Sequence, residues 1–164
     1  MLIQALLNSY LLILADVRAA VEGLPADLMV RQFPGVPNHP AWTIGHLVYS
    51  AQAIGGELGL DPWLPSSWVA LFSTGSIPLP DAAVYPSRSE LLGALEDAQN
   101  RITRCLNSLN PEALAAPLPD VRFRSIFPSL GHAAVHVLSG HTSFHLGQLS
   151  VWRRAAGLSS REPA

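Results

Sequence analysis

The stretch PSLGHAAVHVLSGHTSFHLGQLSVWRRAA, residues 128–156, decides the fold because its spacing predicts one long helix with two unlike faces. At about 100° per residue, one face is apolar and carries two histidines; it consists of Ala134, Leu138, His141, His145, Leu149 and Trp152. The opposite face is small and polar; it includes Ser129, His132, His136, Ser139, Ser143, Gly147, Ser150 and Arg154. We therefore expect the first face to be buried and the second to meet solvent or another subunit.

Three further helices are predicted upstream of this one. In residues 1–24, apolar residues recur at alternating intervals of three and four, which indicates an amphipathic helix. A second helix is expected from about Pro40 to about Gly59, capped by His39 or Asn38 and with the proline in its first turn. A third begins at Ser87, where Ser87 and Glu90 form a capping box. Its apolar stripe continues through Cys105 or Leu106, and we expect Cys105 to lie in the core.

Proline-rich segments separate these helices, so the sequence predicts an all-α four-helix bundle. The long connection between helices 2 and 3 permits an up-down-down-up order, because a crossover of that length allows two consecutive helices to run parallel. We expect one domain over residues 1–158 and a frayed tail over residues 159–164.

Composition narrows the functional classes. Only 13% of the 164 residues are charged and the net charge is −2, which gives no electrostatic case for a nucleic-acid partner. All ten basic residues are arginines, which excludes a Schiff-base lysine. A single cysteine excludes an internal disulfide framework, and a reducing cytoplasm fits it best. Polar residues interrupt the apolar N-terminus, so we predict neither a signal peptide nor a membrane partner.

Two histidines on the apolar stripe, His141 and His145, are candidate metal ligands, because a buried neutral imidazole needs partners for both ring nitrogens. Bonds to carbonyls and hydroxyls are the alternative. His46 on the second helix is a candidate third ligand, and a satisfied core histidine is the alternative there. Three imidazoles suit zinc, nickel or ferrous iron and leave coordination positions open for a small-molecule substrate. No glutamate follows His141, so a zincin-type protease base is missing.

Three neighbouring side chains have a possible role beside such a metal. Gln148 either points near the ion or locks its helix to a neighbouring backbone. Tyr49 either donates to a metal-bound group or bonds a carbonyl. Trp42 lies four residues before His46, which places it on the same helix face.

Two motifs resemble the DinB-like (DinB/YfiT) superfamily of proposed metalloenzymes. HTSFHLGQLSVWRRAAGL, residues 141–158, is similar to the family's H-x-x-x-H-x-G-Q-L…R…G pattern, and WTIGHL, residues 42–47, is similar to its upstream block. One departure is Val137, four residues before His141, where relatives often have a polar residue or histidine; His136 is one place off.

The resemblance implies a four-helix bundle, often a homodimer, with a divalent metal on His46, His141 and His145. It also implies a thiol S-transferase that uses a low-molecular-weight thiol. A hydrolase using metal-activated water and a non-catalytic metal-binding stress-response dimer are the alternatives. A helical interaction module without a metal is a further hypothesis.

Overall fold

The computed structural model describes residues 2–158, and these residues are all-α, as the sequence predicts. The α-helices are α1 (Leu2–Val21), α2 (Ala26–Met29), α3 (Pro40–Glu57), α4 (Ser67–Phe72), α5 (Arg88–Ser108), α6 (Leu130–Val135) and α7 (Thr142–Ala155). Single 3₁₀ turns lie at Ala82–Val84, Pro111–Ala115 and Val121–Phe123. The predicted frayed tail, residues 159–164, lies outside the described residues.

Local sequence explains where the helices begin. Ser87 Oγ accepts the backbone N–H of Glu90, and Glu90 accepts the backbone N–H of Ser87, so the predicted capping box is confirmed. His39 caps α3 by accepting the backbone N–H of Trp42 at Nδ1, with Pro40 in the first turn. Asn38, the other predicted cap, instead donates to Gln148 at 2.9 Å.

The long helices pack in pairs with defined directions. α1 packs against α7 and α5, and α3 packs against the same two helices. Arg153 donates to the carbonyl of Ala20 and Ser9 contacts Ser139, so α1 and α7 point the same way. Arg18 donates to Gln99, and Arg88 donates to the Leu24 carbonyl just beyond α1, so α5 points the opposite way.

The apolar stripe of α1 forms a large part of the core. Its buried side chains are Leu6, Leu7, Tyr10, Leu14, Val17, Ala20 and Val21. Among the described residues, α1 is also the helix that is long and apolar enough to cross a membrane by length and hydropathy. A core helix passes the same test.

Two details differ from the sequence prediction. The last helix is not continuous: a π-helical turn, His136–His141, joins α6 to α7. On α5, Leu106 fills the core position and Cys105 is only half-buried, with its thiol 3.8 Å from the Leu58 carbonyl. The prediction that Cys105 lies in the core is therefore wrong, because the buried face of α5 passes through Leu106, the next residue.

The cap of α3 makes stability depend on pH. His39 is fully buried, and its Nδ1 accepts from Trp42 while Nε2–H donates to the Leu79 carbonyl at 3.0 Å, which fixes a neutral ring. Burial lowers its pKa to about 4. Because the unfolded histidine binds a proton near pH 6.5 and the folded one does not, folding stability falls as pH drops from about 6.5 to about 4.

We expect His39 to contribute up to about 3 kcal/mol to this loss, since one pKa unit is worth about 1.4 kcal/mol. Urea unfolding of metal-free protein at several pH values between 7 and 4 measures it. His39→Asn keeps a capping oxygen and removes the titration, so its unfolding free energy should vary less over that range. Equal pH dependence in both proteins would contradict this assignment.

Candidate metal centre

Three imidazoles from two distant parts of the chain meet at one point. His46 lies on α3, His141 ends the π-helical turn and His145 lies on α7. His141 Nε2 is 3.1 Å from His46 Nε2 and 3.1 Å from His145 Nε2. One ligand atom from each ring therefore lies within 4.8 Å of the other two. His46 and His145 are buried, while His141 is partly exposed.

The His46 ring is held from two sides. Its Nδ1–H donates to the carbonyl of Phe72 at 2.7 Å, at the end of α4. The Trp42 indole stacks on it, with ring centroids 4.6 Å apart and planes within 10°. The indole N–H of Trp42 donates to Ser76 at 2.8 Å, which ties the loop after α4 to α3. Because Nδ1 carries the proton, Nε2 of His46 has a free lone pair, which faces the other two rings.

Gly45 explains why α4 reaches His46. A Cβ at this position would lie 2.1–2.4 Å from ring atoms of Phe72, so only glycine lets that ring lie against α3. Phe72 is fully buried and its carbonyl is the acceptor for His46. The glycine of the WTIGHL motif thus sets the position of the neighbouring histidine through a contact that lies 27 residues away in sequence.

The donor set fits a divalent cation. Two imidazole nitrogens on one zinc ion, each at about 2.0–2.1 Å, lie roughly 2.9–3.4 Å apart for angles between about 90° and 110°. The two observed separations of 3.1 Å fall in this range.

Hydrogen bonds among the three rings cannot satisfy all three Nε2 atoms of this cluster. His46 offers only a lone pair at Nε2, so one N–H on His141 Nε2 would have to serve both neighbours at once. A cation accepts all three lone pairs together.

The three rings are neutral at physiological pH. Burial, and then the nearby rings of His145, His46 and His136, lower the pKa of His141 to about 3. Burial, and then His46, lower the pKa of His145 to about 4, against an opposing interaction with Gln148. Burial also lowers the pKa of His46. Neutral imidazole is the form that binds a metal ion.

The π-helical turn changes which histidines share a face. Because such a turn holds one more residue than an α-helical turn, side chains five apart come to the same side. The rings of His136 and His141 are 6.3 Å apart, and Thr142 bonds the carbonyl of Val137, five residues back. The turn therefore brings the His136 ring closer to His141 than a constant angle per residue predicts, while His132 and His136 are both exposed, as expected of their face.

An open cavity of about 260 Å³ borders the cluster on the His141 side. It is lined by Tyr49, Ser50, Ala53, Ile54, Glu57, Thr74, Leu118, Phe123, Phe127, Ala133, His136, Val137 and His141. His141 is the member of the three-histidine cluster that belongs to this lining, so the cavity borders the cluster at that ring.

The three neighbours predicted from sequence have different positions. Trp42 stacks on His46, as described above. Tyr49 is half-buried and lines the cavity. Gln148 accepts from Asn38 at 2.9 Å, which links α7 to the segment before α3, and it also interacts with His145. No sequence pattern points to the Phe72 carbonyl, because packing alone decides which backbone acceptor a side chain meets.

A comparison with known protein families covers the segment that holds these residues. The family model of the DinB superfamily matches residues 12–149, most of the chain. The chain belongs to the DinB superfamily. No curated protein and no solved structure matches it. The matched region of this DinB protein contains His46, His141 and His145, together with every residue that lines the cavity.

Proposed function

We propose that this DinB protein is a metal-dependent enzyme that activates a low-molecular-weight thiol and transfers it to a small electrophile. The observation that carries the proposal is the convergence of three neutral imidazoles beside an open cavity. A structural metal site is usually closed by four protein ligands, whereas three ligands leave room for a reacting group.

The residues of the chain would divide the work as follows. His46, His141 and His145 would hold the ion, which is zinc, nickel or ferrous iron by its imidazole donors. Such an ion supplies Lewis acidity, which favours deprotonation of a thiol or of water. The Phe72 carbonyl fixes the orientation of His46. Tyr49 and His136 give the cavity two polar side chains near its histidine end, and its apolar wall would contact the organic reactant.

A thiol-conjugation assay tests the proposal. We expect metal-loaded protein to accelerate the reaction of a thiol such as 2-mercaptoethanol with 1-chloro-2,4-dinitrobenzene, and chelation to lower the catalysed rate by about 10²-fold or more. Ester hydrolysis without thiol dependence would overturn the transferase in favour of the hydrolase alternative. Stoichiometric metal with no turnover of either kind would favour the non-catalytic metal-binding dimer.

The arrangement proposed for the chain is an up-down-down-up four-helix bundle. The contacts that set α1 parallel to α7 and antiparallel to α5 support it. Asn38 before α3 meets Gln148, and His46 meets His141, so α3 is antiparallel to α7. The connection between α3 and α5, which contains α4, is then the long crossover.

We also propose a homodimer in the cytoplasm. An open groove bordered by Leu2, Leu114, His132 and Val135 lies between α1 and α6, and Leu2 and Val135 are exposed apolar side chains. Sedimentation equilibrium tests the dimer: Val135→Glu should shift the protein towards monomer, and a wild-type monomer at micromolar concentration would contradict it.

A further inference from the structure

We infer that the organic reactant of this site is apolar and carries no negative charge at the end remote from the histidines, and that Glu57 excludes carboxylates there. The inference rests on the proposed function, because it assigns a substrate class to the same site. Its evidence is the shape and charge of the cavity, which the three-histidine cluster does not determine.

The cavity extends along α3, from the histidine cluster towards Glu57. Glu57 follows His46 by eleven residues, which corresponds to about 16 Å along a helix at ~1.5 Å per residue. Tyr49 lies one turn from His46, and Ile54 lies between Tyr49 and Glu57. A molecule whose reacting group meets His141 therefore extends past an apolar middle towards Glu57.

The middle of the cavity suits an aromatic or aliphatic body. Phe127 packs on the His136 ring at a centroid distance of 4.9 Å and, with Ile54, Ala133 and Val137, supplies apolar wall. A cavity of about 150 Å³ holds benzene, so the volume of about 260 Å³ is sufficient for a substituted ring.

The charge at the far end is negative. Glu57 is the only carboxylate among the lining residues, no arginine belongs to that lining, and the chain has no lysine. Glu57 is held in place because its Oε2 accepts the backbone N–H of Asp120 at 3.0 Å. The neighbouring Arg122 also interacts with Glu57, but its guanidinium bonds both carboxylate oxygens of Asp120 and is mostly exposed. A carboxylate on the ligand would therefore approach an end of the cavity where two carboxylates, Glu57 and Asp120, face one guanidinium, that of Arg122.

A matched pair of thiols tests the inference. Benzyl mercaptan and 4-(mercaptomethyl)benzoate differ by one carboxylate opposite the thiol. We expect cobalt-loaded protein, titrated by calorimetry and by the sulfur-to-cobalt absorption band, to bind benzyl mercaptan at least about fivefold more tightly, because like charges in a partly solvated site repel by that order. Glu57→Gln should reduce this ratio to below about twofold, and its amide oxygen can still accept from Asp120. Glu96→Gln, an exposed site on α5, should leave the ratio unchanged.

Equal or tighter binding of the carboxylate by wild-type protein would overturn the inference, as would a ratio that Glu57→Gln does not change. A second pair, benzyl alcohol and 4-(hydroxymethyl)benzoate, is titrated into metal-free protein by NMR, where the same preference is expected. If cobalt does not bind or no sulfur-to-cobalt band forms, the proposed function fails, while the alcohol pair still decides the inference. Absence of any preference in that pair would overturn it.

Discussion

Replacing His141 and His145 by alanine should reduce divalent metal in the purified protein from about one ion per chain to a trace. These two rings supply two of the three nitrogens that meet at one point, and His46 alone retains a single donor. Binding energies of about 10–16 kcal/mol are shared among the ligands of structural zinc sites, so each lost ligand should weaken binding by roughly 10²–10³-fold or more. Elemental analysis of protein without a histidine tag, with zinc titration against a chelating dye, measures both quantities.

The segment just before α7 contains a matched control for this experiment. His132 and His136 have the same spacing of four residues, and neither belongs to the three-histidine cluster. The double variant His132→Ala/His136→Ala should therefore retain its metal at wild-type stoichiometry. Loss of the metal in this variant but not in His141→Ala/His145→Ala would show that the ion binds elsewhere.

Gly45→Ala should destabilise the protein by about 2–4 kcal/mol and weaken metal binding at the same time, because adding volume to a packed core costs roughly 1–3 kcal/mol or more. The new methyl group would lie within 2.1–2.4 Å of the Phe72 ring, which is fully buried. Moving Phe72 also displaces the carbonyl that accepts from His46. Urea unfolding of the metal-free protein measures the first effect, and zinc titration measures the second.

Gly56→Ala is the control on the same helix. A Cβ at Gly56 has no heavy atom within 4 Å, so this change should be neutral or stabilising by up to about 1 kcal/mol through helix propensity. Adding Phe72→Leu to Gly45→Ala should recover part of the lost stability, since the smaller side chain relieves the clash. Gly45→Ala with stability and zinc affinity equal to wild type would refute the role assigned to the contact.

The sequence predicts the positions of the long helices and the burial of two of the three histidines, because these features depend on local patterns. Apolar periodicity identifies the buried face of α7, because a helix in a core must bury one continuous stripe, and His145 lies on that stripe beside Leu149. The capping box at Ser87 is equally local, since its hydrogen bonds join residues only three apart.

The remaining features depend on contacts that no local pattern contains. α3 is buried on most sides, so spacing alone does not say where His46 points. Its direction follows from the Phe72 carbonyl, which comes from a short helix inside a proline-rich connection. The π-helical turn holds one residue more than an α-helical turn, so a constant angle per residue does not predict how near the rings of His136 and His141 lie.

A crystal structure of the zinc-loaded protein, with anomalous scattering to locate the ion, would show whether the three histidines bind a metal. We predict one zinc ion per chain at about 2.0–2.1 Å from Nε2 of His46, His141 and His145, with its open coordination positions facing the cavity. An ion bound by other residues, or a His46 ring turned away from His141 and His145 in the loaded protein, would contradict it.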